Sequence, residues 1–507
     1  MPKIVFLWTD VALWLMVLSA LAYLWHVRRS PNLRATWARV ARDTPAMCSA
    51  VILVAFSVVG LLDSVHYRPL LPPAPGAAAD APPVYAPAVK SALDGLLTGT
   101  VLTQPEKNYS QPLAAYLFLK ETMLVNDQPV RDFPRLRGAA THLTDPKQER
   151  TSDVLTRLGF GLAGGLAVAV AGAAILFAGL ARREKSAAAA ADALLLGQSD
   201  IPWRAMVITF TGLCLFAGAL AGLSSGYHAL GTDRIGNDVL WQALKSIRTA
   251  LVIGSLTTIA MLPPAIIFGI AAGYFKGKVD DAIQYLYTTI TSIPGVLLVA
   301  ACALMMQVYI DNHADLFDTS VARADLRLFL LCMILGFTGW AGLCRLLRAE
   351  TLKLRELEYV QAARAFGVSH WRIMTRHLLP NVAHLVLITV VLEFSGLVLY
   401  EAVLSYLGIG VDPSMNSFGS MINGARLEMS RDPMIWWSLM TAFIFMLALV
   451  LAANLFADAV RDAFDPRTRR YKPSRMARLG GWGGLIGRRS APALGAEPRA
   501  SKSGDAP

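Results

Sequence analysis

Gln361-Ala362-Ala363 is followed by Gly367 and then by Leu379-Pro380-Asn381, a short polar stretch set between two long apolar segments. The spacing is the informative part. Two adjacent alanines in a helix-forming segment expose little bulk and let another surface approach closely. Gly367 permits a sharp turn, and Pro380 can begin the next helix at a position where its missing N–H costs nothing. The pattern reads as a docking site for another protein. The competing reading is an amphipathic connector lying in a membrane interface.

Other residues invite chemistry and mostly fail a simple test. No Gly-x-x-x-x-Gly-Lys-Ser/Thr segment occurs, so this chain has no such loop to cradle nucleotide phosphates. Gly222-Leu223-Ser224-Ser225-Gly226 matches the Gly-x-Ser-x-Gly elbow of hydrolases, with His228 four residues beyond Ser224. That elbow requires a strand before the serine and a helix after it, whereas here an apolar helix precedes a loop. His370, His377 and His384 recur every seven residues, which places successive members about 10 Å apart along a helix. One metal ion with bonds of about 2 Å cannot be shared over that distance. Cys48, Cys214, Cys302, Cys332 and Cys344 all fall in or beside apolar runs without a Cys-x-x-Cys pair, so neither a disulfide framework nor a metal site is indicated. Glu393 and Glu401 lie inside one apolar run. A carboxylate at that depth faces a polar pathway or pairs with a base on a neighbouring helix. Gly161-x-x-x-Gly165 and Gly269-x-x-x-Gly273 are expected to pack helices closely.

The elements that carry these residues are membrane helices. The chain is 55% hydrophobic and 16% charged, and crossing a hydrocarbon core takes about 20 apolar residues. Nine such runs occur, at about 6–25, 46–66, 158–181, 204–224, 249–274, 283–309, 327–344, 381–400 and 434–457. The first is read as a retained anchor. The net charge of +11 is distributed by loop and gives no nucleic-acid surface. Arg28, Arg29, Arg34, Arg39 and Arg42, then Arg182, Arg183 and Lys185, then Lys276 and Lys278, then Arg345, Arg348, Lys353 and Arg355 mark alternate loops as cytoplasmic. The loop with Asp311, Asp315 and Asp318 then falls outside, as does the amino terminus, and the carboxyl terminus with Arg467, Arg469, Arg470 and Lys472 falls inside. A Pro/Ala-rich stretch from Leu71 reads as an extended linker, segment 110–125 as one amphipathic helix through Leu113, Tyr116, Leu117, Leu119 and Met123, and the residues after 470 as disordered.

Around residues 228–467 the sequence resembles a known family. His228-Ala229-Leu230-Gly231-Thr232-Asp233 with Gly236 and Asp238-Val239-Leu240, Ala272-Gly273-Tyr274-Phe275-Lys276-Gly277 with Asp280, Glu358-Tyr359-Val360 leading into Gln361-Ala362-Ala363, Arg376-His377-Leu378-Leu379-Pro380-Asn381, Ser405-Tyr406-Leu407-Gly408-Ile409-Gly410 and Val460-Arg461-Asp462-Ala463-Phe464-Asp465-Pro466-Arg467 are similar to the permeases of dipeptide/oligopeptide/nickel ABC importers, second-permease type. The departures are Asn237 where that family has Arg, Gln361 where its loop most often has Glu, and His377 where it often has Ile. Glu401 matches the family's pattern at a helix end, and Glu393 does not.

The resemblance implies an all-α, polytopic inner-membrane bundle of about nine helices with the type I ABC importer permease fold. It divides the chain into an extra anchor and basic cytoplasmic loop (1–45), the first permease-type helix (46–66), an inserted extracytoplasmic loop (67–155), an inserted transmembrane hairpin (156–226), the permease core (227–467) with its cytoplasmic docking loop (350–380), and a disordered basic tail (468–507). It implies an ATPase-docking set of Glu358, Gln361, Ala362, Ala363, Gly367, Leu379 and Pro380, and an extracytoplasmic set of His228, Gly231, Thr232, Asp233, Gly236 and Asp238. The partners it implies are a homologous permease chain, two ATP-binding subunits, an extracytoplasmic solute-binding protein and membrane lipid. It implies no cofactor on this chain, ATP and Mg being used by the partner subunits, and no catalytic residue. The rival classes are an ion-gradient-driven secondary transporter and a membrane hydrolase acting through Ser224.

Overall fold

The computed structural model describes residues 3–71, 84–125, 128–197, 199–313, 317 and 319–464. Outside the described residues lie the expected Pro/Ala linker from Pro72 to Pro83, the loop acids Asp315 and Asp318, the motif end at Asp465-Pro466-Arg467, and the expected tail 468–507 with Arg469, Arg470 and Lys472.

A short strand, β1 (Lys3–Val5), leads into helix α1 (Trp8–Arg29), the short α2 (Pro31–Val40) and α3 (Thr44–Asp63). Strands β2 (His66–Arg68) and β3 (Lys90–Ser91), helix α4 (Ala92–Leu97) and the hairpin β4 (Glu121–Val125)/β5 (Gln128–Asp132) follow. Next come α5 (Pro146–Glu184), α6 (Ala187–Ala191) and α7 (Trp203–Ser224), then α8 (Val239–Phe275), α9 (Gly277–Ser292), α10 (Gly295–Asn312), α11 (Ser320–Gly339), α12 (Ala341–Leu354), α13 (Glu358–Ala365), α14 (His370–Ile373), α15 (Leu379–Tyr406), α16 (Phe418–Arg426) and α17 (Trp437–Phe464). Nine helical stretches among the described residues are long and apolar enough to span a membrane, and they coincide one for one with the nine apolar runs. Lipid offers no partner to a backbone amide, so these runs must close their hydrogen bonds within helices.

The centre of the bundle is α8, 37 residues long, whose buried residues run from Val239 to Tyr274. Its upper half packs with α3, α10, α11, α15, α16 and α17 in one apolar core through Ile247, Leu251, Leu328, Val398 and Leu449. Its lower half forms a second core with α9, α12 and α15 through Met261, Ile270, Tyr287, Leu347 and Val382. Glycines set the closeness: a Cβ at Gly269 or Gly273 would press on Leu347 or Thr351 of α12, as the Gly-x-x-x-Gly spacing predicts. In the inserted hairpin, Gly161 and Gly165 of α5 meet Gly218, Gly222 and Cys214 of α7 backbone to backbone.

Four local expectations are corrected. Segment 110–125 is no amphipathic helix. Leu113 adopts φ 57°, the amides of Leu117 and Phe118 bond to the distant carbonyls of Pro134 and Tyr109, and the segment ends in β4. The run 283–309 is one apolar stretch but two helices, broken at Ile293-Pro294 because proline lacks the donor that would continue α9. The hairpin begins at Pro146 rather than near 156, capped by Asp145. Finally, Pro380 stands in the first turn of α15, but no break precedes it. A π-helical turn over Met374–Leu378 joins α14 to α15 and opens the spiral where the proline ring would crowd the preceding turn.

The sequence reading also gave no place to β structure or to the depth at which α1 is held. β1 pairs antiparallel with β2, Lys3 opposite Arg68, and β2 pairs with β3. The amino terminus therefore sits at the same end as the exit of α3. Just inside it, Arg248 of α8 donates to Asp10 of α1 at 3.0 and 2.5 Å and to Thr9 at 2.7 Å, and lies 3.5 Å from Asp325 of α11. The hydroxyl of Thr9 donates to Asp325, and His66 of β2 meets Asp10 at 2.7 Å. All five side chains are buried.

Removing one partner of a buried ion cluster leaves an uncompensated charge and typically costs about 3–5 kcal/mol. Arg248→Met should therefore lower the unfolding temperature of the detergent-purified chain sharply. Restoring neutrality with Asp10→Asn and Asp325→Asn in the same background should recover part of the loss, and thermal melts of the single and triple variants check this.

Candidate functional site

The docking pattern occupies one end of the bundle, where α8 and α12 finish and α14 begins. α13 holds Glu358 to Ala365, with Val360 as its buried anchor. Gly367 then turns the chain at φ 75° with nothing within 4 Å of a hypothetical Cβ, so the residue is chosen for the turn and not for closeness. Of the residues expected to dock a partner, Glu358, Gln361, Ala362, Gly367 and Pro380 are exposed and Ala363 and Leu379 are half-buried against the lower core. At the tip, two large side chains have no cover: Phe366 is 87% exposed and Trp371 67%.

Polar contacts fix this loop to the helix ends. Arg355 donates to the carbonyl of Tyr274 at 2.7 Å, and Tyr274 meets His370 at 2.8 Å. Gln361, standing where the related loops most often have Glu, donates to the carbonyl of Glu356 at 3.0 Å. Glu356 in turn pairs with Lys276 at 2.8 Å, which holds its carboxyl below the usual carboxylate range. Asp280 of α9 takes both arms of Arg348 at 2.5 and 2.7 Å, and that hydrogen-bonded guanidinium lowers its carboxyl likewise. Tyr274, Arg355, Glu356, Val360, Gln361, Arg364 and Ala365 line an open cavity of about 470 Å³ beside α13.

The second residue set lies at the opposite end of α8. Asp238 caps that helix by accepting from the amide of Trp241 at 3.0 Å, and its other oxygen meets Nδ1 of His228 at 2.7 Å. Nε2 of His228 lies 3.5 Å from Glu106 of the inserted loop. Thr232 accepts from the amide of Ser110 at 2.6 Å and donates to the carbonyl of Asn108 at 2.9 Å. Asp233 accepts from the amides of Ile235 and Asn237 and from Gln242. Gly231 and Gly236 have φ 77° and 87°, and a Cβ on either would overlap the carbonyl of Ser110 or Glu106. Glu106 also accepts from the amides of Arg137 and Gly138 at 2.9 and 2.7 Å. The motif is a clasp that binds the inserted loop to the head of α8. The sequence named its residues but not Glu106, whose only signal was a carboxylate in a loop.

The remaining candidates separate. Ser224 is 1% exposed and donates to the carbonyl of Leu220, while His228 is committed to the clasp, so the hydrolase arrangement does not form. His370, His377 and His384 each have a separate neighbour: Tyr274, Tyr359 and the carbonyl of Asn381. Glu401 is buried and accepts from Ser405 at 2.6 Å, a helix-end brace. Glu393 is exposed and has no hydrogen bond or ion pair among the described residues, so of the two readings the pairing with a base is not seen among them. Among the described residues no group of His, Cys, Asp and Glu is arranged to hold a metal ion.

Residues 265–470 match the family described as binding-protein-dependent transport system inner membrane component. The chain is 31% identical over 244 residues to the oligopeptide transport system permease protein OppC of Haemophilus influenzae, covering 48% of this chain and 72% of that one. It is 33% identical over 242 residues to the protein of the same name from Mycobacterium tuberculosis, covering 48% and 77%. To the dipeptide transport system permease protein DppC of Lactococcus lactis it is 29% identical over 240 residues, covering 47% and 64%.

The clasp carries a pH dependence. Burial opposes a charge on His228, but the carboxylates of Asp238 and Glu106 outweigh it and push the imidazole up to about 9. Burial would likewise raise Glu106, yet His228 and the amides of Arg137 and Gly138 hold it low. A raised histidine stabilises the fold fully below its ordinary value and loses that contribution as pH rises through about 9. The wild-type melting temperature should fall between pH 7 and 10 by the equivalent of about 3 kcal/mol, and in His228→Gln that segment of the profile should be flat.

Proposed function

The chain belongs to the binding-protein-dependent transport system inner membrane component family and is a multi-pass permease subunit, and from that premise we propose how it works. It pairs with a homologous permease chain, two ATP-binding subunits dock on the loop around 358–380, and an extracytoplasmic solute-binding protein delivers peptides or similar small solutes. The relatives' names include oligopeptide and dipeptide permeases, which supports that solute class. ATP-driven closure of the partner subunits presses the docking loop, and the spanning helices reorient around a central pathway. ATP and Mg stay on the partners, and this chain performs no covalent step.

The observation that carries the reading is the uncovered tip of the docking loop. Large apolar side chains rimmed by polar ones mark protein contact surfaces, and Phe366 and Trp371 flank the Gly367 turn at the foot of α8 and α15. The loop charges favour a cytoplasmic docking loop and a clasp on the outer side. β1 lies at the clasp end, which supports an outside amino terminus, and the nine candidate spans among the described residues then direct the end of α17 inward. The inserted loop 67–155, fastened by the clasp, is positioned to meet the solute-binding protein. A secondary transporter has no support from these relatives.

Gly367→Glu strains a positive φ and charges the tip, and Ala363→Glu buries a charge under α13. Each variant should insert and purify in normal yield but lose the ATPase subunits on affinity purification, or keep them with peptide-stimulated ATP hydrolysis down at least about tenfold. Undiminished, stimulated hydrolysis in both variants would remove the docking assignment.

A further inference from the structure

Glu393 stands midway along the 28-residue α15, and among the described residues it has no hydrogen bond or ion pair. Other charges set into the spans are committed: Arg248 to Asp10 and Asp325, Arg348 to Asp280, Arg327 to Asp412 at 3.1 Å. An ionisable group left open at that depth faces water or a functional partner, since lipid makes it costly. Spacings of four, three and four residues put Thr389, Glu393, Gly396 and Tyr400 on one helical face, a strip of polar and small residues along α15.

A second, independent feature lies at the same level. α9 packs in the lower core with Val382, Leu385 and Val386 of α15, whereas α10 packs in the upper core with Val398 and Leu404. The break at Ile293-Pro294 therefore falls between the levels of Val386 and Val398, where Glu393 sits. Tyr400, two turns beyond Glu393 and about 10 Å along the helix from it, lies against the break, its hydroxyl 3.7 Å from where a Cβ on Gly295 would be. Residues 291–295 are exposed. Non-helical backbone at membrane depth is tolerated where it is buried in protein or lines a water-filled cavity, and here it is not buried by this chain. The carboxyl end of α9 and the amino end of α10 meet at the break, so it presents free carbonyls and free amides together. The net charge at this level is the carboxylate of Glu393, which favours a cation.

We propose that Glu393, set between the two cores near the Ile293-Pro294 break, forms a point in the translocation pathway that takes a cationic side chain of the travelling solute, such as the ammonium of lysine. This deepens the peptide-permease reading and rests on it.

The test uses the complete importer in proteoliposomes. In a background with the five native cysteines replaced by alanine, Glu393→Cys is treated with a small, cationic, water-soluble methanethiosulfonate, and Ile208→Cys on the outlying α7 serves as the control. Position 393 should be modified, at a rate that changes when the ATPases are trapped with vanadate, and position 208 should not. Glu393→Gln should lower uptake of trilysine about fivefold relative to trialanine, while Glu393→Asp keeps the wild-type ratio. Failure to modify the thiol introduced at position 393, or equal loss for both peptides, overturns the proposal. So does loss of the partner permease from Glu393→Gln on purification, which would make the residue an inter-subunit pair. If the wild-type importer shows no ATP-dependent peptide uptake, the peptide reading fails, and the labelling still decides whether Glu393 faces water.

Discussion

A guanidinium cannot be left alone inside a membrane bundle, and Arg248 organises this one. Its charge sits in α8, and its partners come from α1 and α11, with Thr9 and His66 completing the set. Satisfying it fixes the register of three helices and of the small sheet that ties the amino terminus to the exit of α3. α1 is therefore built into the permease core at a defined height, not appended to it. Once α8 is fixed, both functional ends follow. Its head carries the Asp238 cap and the clasp, and its foot delivers Tyr274 and Lys276 to the docking loop.

The same helix makes a mechanical argument possible. At the docking end, α13 is held by Val360 in the lower core, and Arg355 just before it donates to the carbonyl of Tyr274 in α8. α14 passes through a π-helical turn into α15 without a loop. A push on the tip is thus delivered to helix ends rather than absorbed by a hinge. Arg348 and Asp280 tie α12 to α9 at the same level, so the half-span below the Pro294 break is fastened to the docking end. The half above it packs with the upper core. α8 and α15 run through both cores without such a break.

The legible parts of the chain were those governed by local composition. Apolar length gave the nine spans, Gly-x-x-x-Gly spacing gave the close contacts at Gly161, Gly165, Gly269 and Gly273, and the Gly367 turn followed from residue type. The motif residues from His228 to Asp238 were located by resemblance, but their work as a clasp depends on Glu106, Ser110 and Asn108, which lie more than a hundred residues earlier. Nothing local distinguishes Asp10 as the partner of Arg248 either. Segment 110–125 misled because Leu113 and Tyr116 pack against Tyr227 from another element and the amide of Leu117 bonds to the carbonyl of Pro134, and such tertiary contacts outrank periodicity there. Glu393 was expected to find a base within the chain because unpaired charge in a bundle is costly. Among the described residues it has no hydrogen bond or ion pair, and a partner absent from the chain's own helices leaves no signal in local sequence.

On this reading the chain is a passive gate, driven from outside itself by ATP at the 358–380 loop. Solute uptake by the reconstituted permease pair, ATPases and binding protein decides it, with ionophores collapsing every ion gradient and ATP supplied only on the ATPase side. Uptake that persists, depends on hydrolysable ATP and stops with a non-hydrolysable analogue is the predicted result. Uptake that vanishes with the gradients and continues without the ATPases would contradict an ATP-driven gate.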